Sequence, residues 1–102
     1  MAINNTALTT TPTAIYTSSG SSAITTIHLC NYSGGAVTAN LYAVPSSGSA
    51  DNSTIFYSNV QILTLNTLIV STEKMILDNG DAIYADVDTN SAVTATVSSI
   101  GI

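Results

Sequence analysis

Within residues 75–100 two segments, 83–88 and 93–98, alternate apolar and polar side chains residue by residue, and that period of two restricts what the chain can become. Ile83, Ala85 and Val87 alternate with Tyr84, Asp86 and Asp88; Val93, Ala95 and Val97 alternate with Thr94, Thr96 and Ser98. Successive side chains of a strand point to opposite faces, so each segment reads as a strand with one face toward a core. The run Asp88-Thr89-Asn90-Ser91 between them is turn chemistry, and the short spacing predicts a β-hairpin. Upstream, Asp78-Asn79-Gly80-Asp81 predicts a turn in which Gly80 takes a positive φ. A lone hairpin is not stable in water, so the rest of the chain must cover its apolar face.

The preceding residues carry the same pattern in shorter pieces. Strands are expected at 13–17, at 23–32 with Ile27 and Leu29 on one face, and at 37–44 with Val37, Ala39, Leu41 and Ala43 alternating with Thr38, Asn40 and Tyr42. Ser33-Gly34-Gly35 reads as the turn of a second hairpin. Pro45 cannot donate to a ladder and ends its strand, and 46–53 is the longest polar loop. Strand pattern resumes at 54–57 and continues over 60–65 after an irregularity; 67–71 follows, and 72–77 reads equally as a strand or a single helical turn. No segment has a convincing 3.6 period. About seven short strands with turn signals between them predict an all-β, antiparallel sandwich, Ig-like or jelly-roll-like. Residues 13–102 are expected to form its single domain, with the polar, Thr-rich residues 1–12, closed by Pro12, as an extended N-terminal arm that either packs on a neighbour or is a loose tail.

Composition then limits function. Only 7% of residues are charged, against about 25% in an ordinary domain, and roughly four in ten are Ser, Thr or Asn. The net charge is −5 with a single basic residue, Lys74, so the chain cannot build the basic face that a nucleic acid or an anionic membrane requires. Charge is depleted at the centres of protein–protein interfaces, which points to a surface largely covered by partners, and to a homo-oligomer. The one cysteine excludes an intrachain disulfide; no signal peptide is visible, and no apolar run approaches the roughly 18 residues of a membrane span. The sequons at Asn4, Asn31 and Asn52 are then products of an Asn/Ser/Thr-rich composition.

The candidate chemistry is thin. His28 and Cys30, two apart on one strand, point to one face, but a nucleophile pair needs an orienting third group and a zinc site needs more ligands, so they read as structural. Asp78, Asp81, Asp86 and Asp88, with Asn79, lack the alternating ligands and the distal Glu of a calcium loop. With no Trp and one Phe the chain also lacks the aromatic cleft expected of a glycosidase. No catalytic residue, metal site or cofactor is expected. Tyr32, Tyr42, Tyr57 and Tyr84 lie in or beside strands, where amphipathic rings suit a half-exposed cross-strand pair, an interface or a sugar-binding patch. Tyr42, Tyr57 and Tyr84 are the candidate interface residues of the domain; Ile3 and Leu8 are those of the arm, where they would fill pockets on a neighbour.

Four segments carry a resemblance. Ile27-His28-Leu29-Cys30-Asn31, Leu41-Tyr42-Ala43-Val44-Pro45, Asn79-Gly80-Asp81-Ala82-Ile83-Tyr84-Ala85 and Ser98-Ser99-Ile100-Gly101-Ile102 together resemble small virion proteins of tailed bacteriophages. The likeness spans most of residues 24–102 and consists of strand and turn signals. It implies a β-sandwich without enzymatic activity, located in the virion, with the major capsid protein or other virion proteins as partners. The role implied is capsid decoration or cementing, with neck, tail or fibre parts as the alternative. From another class, a carbohydrate-binding module would use the tyrosines and the loops 46–53 and 78–81.

Overall fold

Strands that each bury one face need a second layer of such faces to bury it against. The computed structural model describes residues 2–70, 75–90 and 92–101, and within them the chain forms nine strands and no helix. These are β1 (Ala2–Ala7), β2 (Thr13–Thr17), β3 (Ser22–Asn31), β4 (Val37–Val44), β5 (Ile55–Ile62), β6 (Thr67–Val70), β7 (Met75–Leu77), β8 (Ala82–Val87) and β9 (Val93–Gly101). The segment at 75–77 is thus a strand; the rest of the undecided 72–77 stretch, 72–74, lies outside the described residues. The irregularity between 57 and 60 is real: Asn59 has φ +53°, and the pairing of β5 with β4 shifts register.

Folded about the loop after β4, the first half of the chain lies antiparallel to the second: β1 on β9, β2 on β8, β3 on β6 and β7, β4 on β5. Pairing of β3 with β9 and of β4 with β8 joins these ribbons into two sheets. One has the order β1-β9-β3 with β6 and β7 along its far edge; the other is β2-β8-β4-β5. A long antiparallel ribbon wrapped so that alternate pairs fall in opposite sheets is a jelly roll, the second of the two sandwich types expected.

This topology corrects both hairpins. β8 and β9 lie in different sheets, and so do β3 and β4. Alternation tells which face of a strand is apolar but not which strand is its neighbour. Here the connections arch from one sheet to the other, so that Ile83, Ala85 and Val87 lie in one layer and Val93, Ala95 and Val97 in the other. The first backbone groups of the arches extend the ladders within each sheet, β8 on β4 and β3 on β9: Asp88 N donates to Thr38 O at 3.0 Å, and Tyr32 N to Ala92 O at 2.9 Å. A hairpin would have spent such groups between its own two strands.

The arm is also corrected. Residues 2–7 are strand β1, paired residue by residue with β9 from Ala2↔Ser99 to Ala7↔Thr94. Leu8 N continues the ladder to Val93 O at 2.9 Å, and the Leu8 side chain is fully buried in the core. Leu8 therefore fills its own domain and is not available to a neighbour, whereas Ile3 stays 68% exposed. Asn-rich β1 has little strand propensity, and its place is fixed by ladder bonds to β9 and by the single apolar anchor that follows it.

At the other end of the molecule, loops 18–21, 45–54 and 78–81 interlock. Gly80 N donates to Ser18 O at 2.9 Å, Ser46 N to Asp81 Oδ1 at 2.9 Å and Gly20 N to Asn79 Oδ1 at 2.9 Å. Asp81 N donates to Asp78 O at 3.0 Å, closing a four-residue turn whose third residue, Gly80, has φ +90°, the conformation that type II turns reserve for glycine. A Cβ there would stand 2.8 Å from Ser46 Oγ. Gly80→Val is expected to cost about 1 kcal/mol for the backbone alone, and more as Ser46 is displaced. Thermal denaturation checks this, and an unchanged Tm would mean that the turn is not held at positive φ.

Candidate functional site

The broad outer face of the sheet β1-β9-β3-β6/β7 is the most distinctive surface. Its strands contain no Asp, Glu, Lys or Arg at any described position. The register lays its outward residues in rows across the strands. Asn5, Thr96, His28 and Ile69 form one row; Ala7, Thr94, Cys30 and Thr67 another; Ile100, Ala23 and Ile76 a third. Ile3 stands beside Ser98 at the edge. Ile69 is 56% exposed, Ile76 64% and Ile100 45%. A field of Thr and Ser hydroxyls and Thr methyls, studded with isoleucines and without an Asp, Glu, Lys or Arg on its described strands, has little desolvation to overcome when covered.

The isoleucines follow from how the edge is built. In β6 and β7 three apolar residues run consecutively, Leu68-Ile69-Val70 and Met75-Ile76-Leu77. A strand can turn only alternate residues inward, so Val70 and Leu77 are buried while the middle residue of each triplet faces out. That break in alternation is the sequence signal for this face.

His28 and Cys30 lie on this face, as their spacing predicts, with His28 half-buried and Cys30 free and exposed. They sit beside Thr and Ile, and the cross-strand pairs bring no acid or base next to them. Among the described residues no group of three or more His, Cys, Asp and Glu side chains is placed to hold a metal ion.

The opposite sheet is more polar. Asp86 on β8 accepts from Asn40 Nδ2 at 2.7 Å and from Tyr42 Oη at 3.0 Å, and Asn40 Oδ1 accepts from Asn59 N at 2.7 Å. Asp88 Oδ1 accepts from Thr38 N at 3.1 Å, and both carboxylate oxygens of Asp81 accept backbone N–H groups, from Ser46 and Asp78. These aspartates are spent on holding loops and strands together. Burial, and then the bonded charge of Asp86, push the Tyr42 hydroxyl above its ordinary range. Its proton is therefore retained longer in the folded state, and the stability this contributes is present below about pH 10 and lost as the pH rises through the raised value. Tyr42→Phe is expected to flatten that alkaline loss in a pH series of melting curves.

The tyrosines do not assemble into one open patch. Tyr42 is only 8% exposed; Tyr84 lies across from it; Tyr57 packs against the core and edge-on to Phe56; Tyr32 is exposed on the arch after β3. Of the candidate interface residues, Ile3 alone is largely open, Tyr57 and Tyr84 are half-buried, and Tyr42 and Leu8 are buried.

Among the described residues four polar side chains are buried, Ser18, Ser22, Asn31 and Ser99, and Asn31 is the largest of them. Asn31, at the end of β3, is fully buried. Its Nδ2 donates to Gly35 O and Ile62 O, both at 2.9 Å, and its Oδ1 accepts from Ser33 N at 2.9 Å and Ser33 Oγ at 2.7 Å. It ties the arch after β3 to the end of β5, and through that to the rim of the uncharged face. No family model, curated protein or solved structure matches the chain.

Proposed function

We propose that this protein is a non-enzymatic structural component of a bacteriophage virion, a decoration or cement protein that binds the capsid through the outer face of β1-β9-β3-β6/β7. The observation that carries the reading is that uncharged face with Ile69, Ile76 and Ile100 exposed on it. Sheets in a sandwich stack about 10 Å apart, so the shortest molecular extent, 21 Å, spans the two layers with their side chains. The other extents, 38 and 27 Å, then give a broad face on the order of 1,000 Å², against the ~800 Å² per partner of a specific complex. The jelly-roll topology recurs in viral capsid proteins and in lectins alike, so the fold is compatible with this class and does not choose it. Such a protein acts by bridging neighbouring capsomers, so that its binding energy opposes the pressure of packaged DNA. The strand and turn signals over most of residues 24–102, read from the sequence as resembling small virion proteins, are what suggested this class.

Particle imaging with the protein present and absent tests this. Stoichiometric density on the head, with this face inward, is the expected result. Density on the neck, tail or fibre would move the protein within the virion. Glycan binding by the isolated chain, without particle association, would replace the reading with a carbohydrate-binding one, using the interlocked loops 45–54 and 78–81.

A further inference from the structure

A jelly roll leaves four sheet edges, and here they differ. β2 pairs with β8 through a register shift between Ala14 and Tyr16. β5 pairs with β4 through two shifts, with Asn59 in the left-handed region. The β6/β7 edge meets β3 in two separate runs, at Ile27 to Cys30 and at Ser22 to Ile24. Bulges and interruptions are the devices that keep a strand edge from recruiting another strand. β1 has none of them. Its six residues pair with β9 in unbroken register, and Ala-Ile-Asn-Asn-Thr-Ala contains neither charge nor proline.

We propose that β1 pairs antiparallel with β1 of a second copy of this chain, joining the two β1-β9-β3-β6/β7 sheets across a two-fold axis. An antiparallel pair of identical strands is self-complementary, the requirement for a closed two-fold contact. Two chains of net charge −5 repel, and this edge is where they meet with least cost. Neither β1 nor its neighbours β9 and β3 carry an acid; the described aspartates stand in loops at 51, 78, 81 and 88 and on β8 in the other sheet. Antiparallel pairing also sets the end of one copy that carries Asp51, Asp78 and Asp81 beside the end of the other whose one loop aspartate is Asp88, among the described residues. A groove of about 370 Å³ runs between β1 and β2, lined by Asn4, Thr6, Ala14 and Tyr16 among others. The second copy's inward-facing side chains at positions 4 and 6 would cover it. The inference does not depend on the virion role.

Sedimentation of the full chain from about 10 µM to about 1 mM, the range of weak association, tests it. The expected result is a reversible monomer–dimer equilibrium that Asn5→Lys abolishes while Tm stays within a few degrees, because like charges across an antiparallel pair repel. Amide exchange on the unmodified chain gives a second readout: β1 amides not bonded to β9 gain protection as concentration rises. A wild-type monomer throughout the range, or a dimer that survives Asn5→Lys in a folded variant, or β1 protection independent of concentration, would each overturn the proposal.

Discussion

Replacing Asn31 with Asp is expected to destabilise the fold by about 3–5 kcal/mol, because it converts a satisfied buried amide into a buried charge facing carbonyls. The Asn31 amide nitrogen reaches Gly35 O and Ile62 O at 2.9 Å and Leu63 O at 3.3 Å. A carboxylate oxygen in its place would present negative charge to three acceptors. Ser33 N and Oγ would still satisfy the other oxygen, so the loss is confined to the nitrogen side. Burial and the carbonyls would raise the folded-state pKa of the introduced carboxyl above its unfolded value near 3.9. The defect should therefore be full at neutral pH and shrink as the pH falls toward 4, where a protonated carboxyl can donate to one carbonyl. Urea denaturation at pH 7 and pH 4 measures this. With total stabilities of about 5–15 kcal/mol, a marginal domain would unfold outright at pH 7. An Asp variant as stable as wild type at pH 7 would show that the residue is solvated and not part of the core.

Leu8→Ala should cost about 2–5 kcal/mol, the range for emptying a fully buried leucine site. The consequence extends beyond the cavity. Leu8 is the only buried apolar side chain between residues 3 and 12, and it anchors β1 to β9 at the point where the chain crosses to the other sheet. Thr9 O accepts from Val87 N at 3.0 Å just beyond it, and Thr10 N donates to Asn90 Oδ1 at 2.9 Å. With Leu8 truncated, β1 should fray first. Amide exchange should show residues 2–7 losing protection by more than the global change, while β3, β4, β8 and β9 keep theirs relative to it. A loss below about 0.5 kcal/mol would return this segment to the status of an arm.

The strands themselves were legible because each buries alternate residues, and β3, β4, β8 and β9 follow that rule over most of their length. Their partners were not. A five-residue connection serves a loose hairpin or an arch equally well, and the choice between them rests on which distant backbone accepts from Asp88 N and Tyr32 N. β1 was missed for a related reason: its contribution is backbone pairing plus one leucine that lies outside the strand. Asn31 looked like any Asn before a Ser-Gly-Gly turn; only the fold brings Ile62 O and Leu63 O to it. The uncharged face was half visible, since low overall charge suggested a covered surface. Consecutive apolar triplets at 68–70 and 75–77 do not tell which of their residues faces out; the pairing with β3 decides it and turns Ile69 and Ile76 outward.

The proposed binding of the capsid by this face is tested most directly by the occupancy of an Ile69→Asp, Ile76→Asp double variant on particles assembled without the native protein. Both side chains are more than half exposed, so the variant should fold with Tm close to wild type. Two carboxylates desolvated on an apolar face should lower affinity by at least about a hundredfold, or roughly 2.7 kcal/mol, leaving most sites empty at a concentration that saturates them with wild type. A folded double variant that fills the particle as the native chain does would contradict the assignment of this face.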